Sequence, residues 1–215
     1  MSALPVIAID GPAASGKGTI ARRVAAALHF AHLDTGTLYR VVGLSVLRKG
    51  GDPSDATAAE AAVSSLDMSL MEDPALRAHE TSVAASKVAA FQNVRDALLA
   101  LQRNFAAHPP GGRGAVLDGR DIGTVICPDA TVKLFVTATP QVRAHRRYLE
   151  LTKNGTIIGE TEVLADIQSR DARDSGRAVA PLRQAADAYL LDTTHLDIEA
   201  ATERALQVVR AALRT

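Results

Sequence analysis

The chain holds a single cysteine, Cys127, which excludes an internal disulfide framework and any cysteine-built metal cluster. Its place before Pro128 suits a small, partly buried apolar residue. The six histidines are scattered without ligand spacing, and no role falls to them. There is no excess of charge either: Lys+Arg 24 balances Asp+Glu 24, so no global field draws the chain to nucleic acid or to a membrane surface. No apolar stretch approaches the ~20 residues of a membrane span. Met1 to Asp10 has neither a basic region nor a long apolar run before it meets glycine, and it reads as a strand, not a signal peptide. Internal repeats and low-complexity tracts are absent. The expectation is a cytoplasmic protein without nucleic-acid or membrane partners.

What is present is an ordinary globular composition, 47% apolar and 22% charged over 215 residues, enough for one substantial core. Short apolar runs alternate with helical patterns, which predicts parallel βαβ units. The expected strands are Val6–Ile9, His32–Asp34, Ala115–Asp118, Val132–Val136 and Tyr189–Asp192. Lys17–His29 has helical spacing, with Ala21, Val24, Ala25 and Leu28 on one face. Thr139 with Pro140 opens a helix running to about Leu151, and Asp197 caps a closing helix that ends near Leu213. The fold class is therefore α/β, a five-stranded parallel sheet flanked by helices. Two stretches interrupt the alternation: Gly50–Ala107, mostly helical with a weak break at Leu66–Pro74, and Thr152–Leu182, which holds an arginine run. Both are expected to be excursions on one domain spanning residues 1–215.

Gly11-Pro12-Ala13-Ala14-Ser15-Gly16-Lys17-Gly18-Thr19 follows an apolar strand and precedes an amphipathic helix. That context is what a phosphate-cradling loop requires. Its glycines let backbone N–H groups turn inward, the helix N-terminus adds its positive end, and the lysine bridges β- and γ-phosphates. Gly18 intervenes between Lys17 and Thr19, an ending that occurs in nucleoside monophosphate kinases. No Asn-Lys-x-Asp segment is present to read guanine.

Four further segments follow in order: Asp34-Thr35-Gly36-Thr37-Leu38-Tyr39-Arg40; Ser86 to Phe91 with Arg95; Leu117-Asp118-Gly119-Arg120-Asp121-Ile122-Gly123-Thr124; and Arg170 to Leu182. With these five the sequence resembles bacterial cytidylate kinase over essentially its whole length. The resemblance implies a P-loop kinase fold with a CMP-binding insertion at about 50–107 and a small lid at about 148–177. It implies ATP and CMP or dCMP as partners, Mg²⁺ bound with ATP, and a monomer. By position, Thr35, Arg40 and Arg120 would grip the CMP phosphate, and Ser86, Arg95 and Asp121 would read cytosine. Arg170 and Asp174 would hold the ribose, with Arg173 and Arg177 serving the transferring phosphoryl group. The insertion is shorter than in typical members between Leu66 and Thr81, with no alternating pattern for a small extra sheet.

The residue chemistry agrees. Phosphoryl transfer needs alignment and positive charge, which Lys17, Arg40, Arg120, Arg173 and Arg177 offer from separate segments. Arg170, Arg173 and Arg177 share one helix face; in isolation that would suit a solvated face paired with Asp171 and Asp174. Asp118 ends a strand where P-loop proteins keep an acid near Mg²⁺, acting through its waters, or it simply caps the turn before Gly119. Two other readings are a different small-substrate P-loop kinase, such as one resembling adenylate kinase, and a non-catalytic nucleotide-binding regulator. The latter would be expected to lose Lys17 or the lid arginines.

Overall fold

Every side chain of Val6–Ile9 is apolar, the pattern of a strand covered on both faces. It forms the centre of the sheet in the computed structural model, which describes residues 4–153 and 155–214. Residues 1–3, 154 and 215, including one position of the expected lid, lie outside the described residues. The strands are β1 (Val6–Asp10), β2 (Ala31–Asp34), β3 (Ala115–Gly119), β4 (Val132–Thr137) and β5 (Tyr189–Asp192). All pair in parallel, in the order β2-β3-β1-β4-β5. All five fall where the periodicity puts them, to within a residue or two at each end.

The helices are α1 (Lys17–Leu28), α2 (Thr35–Arg48), α3 (Ala56–Ser64), α4 (His79–Val88), α5 (Gln92–Ala107), α6 (Pro140–Lys153), α7 (Glu160–Gly176) and α8 (Ile198–Ala212). On one face of the sheet, α1 and α8 bury Ile20, Val24, Ala205 and Val209 against Ile7, Ile9 and Leu134. The other face packs Ala8, Leu33 and Leu117 against Ala106 and Ile122. Capping follows the sequence: the Val142 N–H donates to Thr139 Oγ1 at the start of α6, and the Ala200 N–H to Asp197 Oδ1 at the start of α8.

The first excursion builds a core of its own from α2, α3, α4 and α5, around Leu38, Val42, Ala62, Ala85 and Leu98. Here α2 and α4 approach so closely that a Cβ on Gly43 would lie 2.8 Å from the Ala85 nitrogen. The weak break resolves into two short 3-10 turns, Met68–Glu72 and Pro74–Arg77, capped by Asp67 and Asp73. Among the described residues it contains no strand. The second excursion is α7, whose Val163 and Ile167 pack on Ala144 and Leu151 of α6. Among the described residues, no helix is long and apolar enough to cross a membrane.

Candidate active site

The order of the strands places β1 where the chain's winding reverses, the point at which open parallel sheets bind ligands beyond their carboxyl ends. The phosphate loop leaves β1 there. A Cβ on Gly11, at φ 154, would meet the Val136 carbonyl oxygen at 2.0 Å, so only glycine lets the loop turn against β4. No side-chain cap closes the N-terminus of α1 at Gly16, which sits at φ 89. Its free N–H groups and dipole are left for an anion.

Two cavities meet over this loop. The larger, about 640 Å³, runs from Gly16, Lys17 and Thr19 past Asp118 to Arg146, Thr193 and Leu196. The smaller, about 250 Å³, lies between α4, α6 and α7 and is lined by His79, Ser82 and Arg173. Lys17, Arg40, Arg120, Arg147 and Arg170 line both. Without an anion these cations oppose one another. Burial, then the Arg120 charge, pushes Lys17 down to about 7, although part of its side chain stays exposed. Burial and Arg120 likewise push Arg170 down to about 9, and burial lowers Arg40. Among the described residues, the Lys17 Nζ hydrogen-bonds only the Pro12 carbonyl, at 3.4 Å.

Several carboxylates offset this cluster: Asp34 and Asp118 act on Lys17, Glu150 pairs with Arg147 at 2.8 Å, and Asp174 meets Arg120. Arg120 Nε donates to Asp174 Oδ2 at 2.9 Å. Burial alone would raise Asp174, but Arg120, Arg170 and Arg177 hold it below the usual carboxylate range. The C-terminal part of α7 lies along α4 through a polar ladder. Asp166 meets His79 at 3.3 Å, Arg170 Nη1 donates to Ser82 at 2.9 Å, Arg173 Nε to Ser86 at 3.4 Å, and Arg177 Nη1 to the Ala89 carbonyl at 3.4 Å. A buried clamp fixes the middle of α7: Arg143 pairs with Asp171 while donating to the carbonyls of Ala138 and Ala13, the latter in the phosphate loop.

Arg95 and Asp121 come together from α5 and the segment after β3, and Ser86 lies on α4, each of the three with no more than 6% of its surface exposed. Arg95 forms a buried ion pair with Asp121, and its guanidinium lies over the Tyr39 ring, 5.6 Å from the centroid. Arg95 and Asp121 thus satisfy each other, Ser86 takes its hydrogen bond from Arg173, and the two cavities stop short of all three. Tyr39, on α2 beside Arg40, is the floor under Arg95.

At the carboxyl edge of the sheet, Asp34 pairs in register with Asp118, and Asp10 with Gly119. Asp118 is buried, and His32 Nε2 lies 2.8 Å from its Oδ2. Among the described residues no cluster of three or more His, Cys, Asp or Glu could hold a metal by protein ligands alone. Asp118, opening on the cavity beside Thr19 with Asp34 also in its lining, fits Mg²⁺ carried on substrate phosphates, since that ion keeps several waters.

Two expected roles are not met by the geometry. Thr35 is buried at 3% exposure, and its hydroxyl donates to the Asp118 carbonyl at 2.8 Å. As placed, it braces the end of β3, and Gly36 and Arg40 line the cavity instead. Arg177 lies beside Arg95 and Asp121, not beside Lys17; its cavity-side counterpart is Arg170. Sequence reasoning missed Arg146 and Arg147, although Arg143, Arg146 and Arg147 repeat the three-and-four spacing used to single out the α7 arginines. Arg146 donates to the hydroxyl and carbonyl of Thr193 and to the Leu196 carbonyl, shaping the far end of the larger cavity. Cys127, half-buried, is pushed up to about 11 by burial, as an unreactive thiol should be.

The family model described as Cytidylate kinase matches residues 7–211. A cytidylate kinase of Rhodospirillum rubrum is 58% identical over 205 residues, covering 95% of this chain and 96% of that protein. One from Bradyrhizobium sp. (strain ORS 278) is 57% identical over 206 residues, covering 96% of each. Among solved structures, TT1252 from Thermus thermophilus aligns with a TM-score of 0.52 at 19% identity, over 99% of both chains. An uncharacterized protein from Eubacterium ventriosum aligns at 0.58 and 13%, over 97% of this chain and 99% of that one. These two speak for the fold alone.

Proposed function

The chain belongs to the cytidylate kinase family and transfers the γ-phosphate of ATP to CMP, and on that premise we propose that dCMP is a second acceptor and that the cleft residues divide the work as follows. One observation carries the assignment: two cavities, one over the phosphate loop and one between insertion and lid, share Lys17, Arg40, Arg120, Arg147 and Arg170. Transfer takes place where they meet.

The loop, residues 11–19, cradles the ATP phosphates, and the larger cavity receives the rest of ATP towards Arg146 and Leu196. Lys17 and Arg170 act on the transferring group, with Arg173 reaching it from the lid. Arg40 and Arg120 hold the CMP phosphate, and Arg147 stands between the two anions. Charges placed in advance around developing anionic oxygens are the main lever in such chemistry. No general base is required, because the CMP phosphate is already an anionic nucleophile. Mg²⁺, held through water by Asp118, would neutralise charge on the ATP phosphates. Ser86, Arg95 and Asp121 read the base. Asp121 accepts from the cytosine N4 amino group, and Arg95 donates to N3 or O2. Asp174 and Arg170 stand where the sugar enters. Asp174 and Arg170 are charged, so loss of a hydroxyl contact to them is worth about 1.5–3 kcal/mol, and dCMP should be consumed with kcat/KM roughly 10- to 10²-fold below that of CMP. One polypeptide supplies all these groups, so a monomer suffices.

The test is coupled ADP release from ATP with CMP, dCMP, UMP and AMP in turn. The assignment expects CMP and dCMP to be the leading substrates. Preference for AMP would overturn it, and a dCMP rate at background would overturn the second acceptor.

A further inference from the structure

Asp10 is the last residue of β1, buried at 5% exposure, and among the described residues no arginine or lysine side chain hydrogen-bonds it. Its two carboxylate oxygens accept from two consecutive main-chain groups of another segment: the Ile122 N–H to Oδ1 and the Gly123 N–H to Oδ2, both at 2.8 Å. Those are the first two N–H groups of the wide helical turn Ile122–Ile126, which closes through Ile126 N–H to the Asp121 carbonyl and Cys127 N–H to the Ile122 carbonyl. Asp121 holds the capping position of that turn and makes no side-chain cap bond. An aspartate there ordinarily folds back onto its own N–H groups. Here its carboxylate points the other way, into the ion pair with Arg95.

We propose that Asp10 is a positioning residue for base recognition: by capping the Ile122–Ile126 turn from the neighbouring strand, it releases the Asp121 carboxylate from that turn and holds it towards Arg95 and the base. The inference rests on the reading of Asp121 as a cytosine acceptor. It also ties the two substrates together, because Asp10 immediately precedes Gly11 and therefore anchors the base-reading segment to the root of the phosphate loop.

Cost supports this placement. Burial pushes Asp10 up to about 7, against the two N–H donors and the Lys17 charge that lower it and the Asp121 charge that raises it further. A neutral serine or asparagine would cap a turn without desolvating a charge. A carboxylate earns its place by satisfying both N–H groups at once, which leaves none for Asp121 to claim.

The experiment compares the full-length wild type, Asp10→Asn, Asp121→Asn and the double variant, measuring kcat/KM for CMP and UMP and KM for ATP. Asp10→Asn keeps one acceptor and frees one N–H, so Asp121 can rotate back onto its own turn. The expected result is a ~10-fold or greater loss with CMP, mainly in KM, a loss under ~3-fold with UMP, and ATP KM within ~3-fold. The double variant should show the same CMP:UMP ratio as Asp121→Asn alone, because Asp10 acts on selectivity only through Asp121. Equal losses with both nucleotides, or additive effects in the double variant, would overturn the proposal by assigning Asp10 a general structural role. If Asp121→Asn itself leaves the ratio unchanged, it is the base-reading assignment that fails; if Asp121→Asn lowers the ratio and Asp10→Asn does not, only the capping inference fails. Should Asp10→Asn not melt cooperatively, Asp10→Ser, a smaller neutral acceptor, takes its place. A chain that folds with neither would contradict the local role proposed.

Discussion

At the scale of single residues, the cleft is a set of charges held in disfavoured states until an anion arrives. Lys17, pushed down to about 7 by burial and Arg120, is largely neutral in the free protein at about pH 8. Triphosphate favours its charged form, so binding should take up a proton, and ATP affinity should weaken as pH rises through and above about 7. Calorimetry of an ATP analogue at about pH 8, in buffers of different ionisation enthalpy, should register an uptake approaching one proton. The uptake should vanish in Lys17→Met; equal heats in every buffer for the wild type would contradict it. The same variant should bind CMP almost normally and lose ~10²-fold or more in kcat, since the lysine's charge acts on oxygens of the transition state. The phosphate loop was legible in the sequence because its motif is a local property; Arg95 and Asp121 were singled out only through the family resemblance, as readers of cytosine, and their pairing with each other was not foreseen. Asp10 was not legible: it looks like the end of an apolar strand, and its partners are more than a hundred positions away.

At the scale of elements, α7 is held in two different ways. Its N-terminal half packs Val163 and Ile167 on α6, while its C-terminal half rests on the polar ladder to α4 and on the Arg143–Asp171 clamp. Polar contacts exchange with water at little net cost, so that half should open and close. Hydrogen exchange in residues 148–177 should be fast without ligand and slow with ATP-like and CMP-like ligands together; protection indifferent to both would contradict a lid. Asp171→Asn leaves the buried Arg143 without its carboxylate. Because Asp171 is itself partly exposed, the loss should be about 2 kcal/mol, or a fall in Tm of roughly 4–8 °C, with faster exchange in α7. Helical spacing puts Arg170 and Arg173 on one face of α7, but the helix ends at Gly176 and Arg177 sits at its cap, off that face. Where each arginine lies was not legible in the sequence, because that depends on how α7 lies across α4: Arg170 keeps Asp174 as a neighbour but also lies near Lys17, and Arg177 lies beside Arg95 and Asp121.

At the scale of the whole molecule, the five strands and their flanking helices follow from apolar runs and caps, which are properties of ten residues at a time. Thr35 illustrates what such windows miss: the residue type fits a phosphate grip, but pairing of β2 with β3 turns its hydroxyl onto the Asp118 carbonyl. The fold brings Arg95 and Asp121 from separate segments into one buried pair, with Ser86 buried on α4, and base choice is the property that the proposed roles of all three would set together. Uracil places a carbonyl where cytosine has its amino group and a donor at N3, so both charged partners would be mismatched. Asp121→Ala should then narrow the preference by damaging CMP turnover while leaving UMP little changed. The most direct measurement is kcat/KM of the wild-type enzyme with CMP and with UMP under identical conditions. A preference for CMP of at least ~10²-fold is predicted; equal values for the two nucleotides would contradict the assignment of Arg95 and Asp121 as the readers of the base.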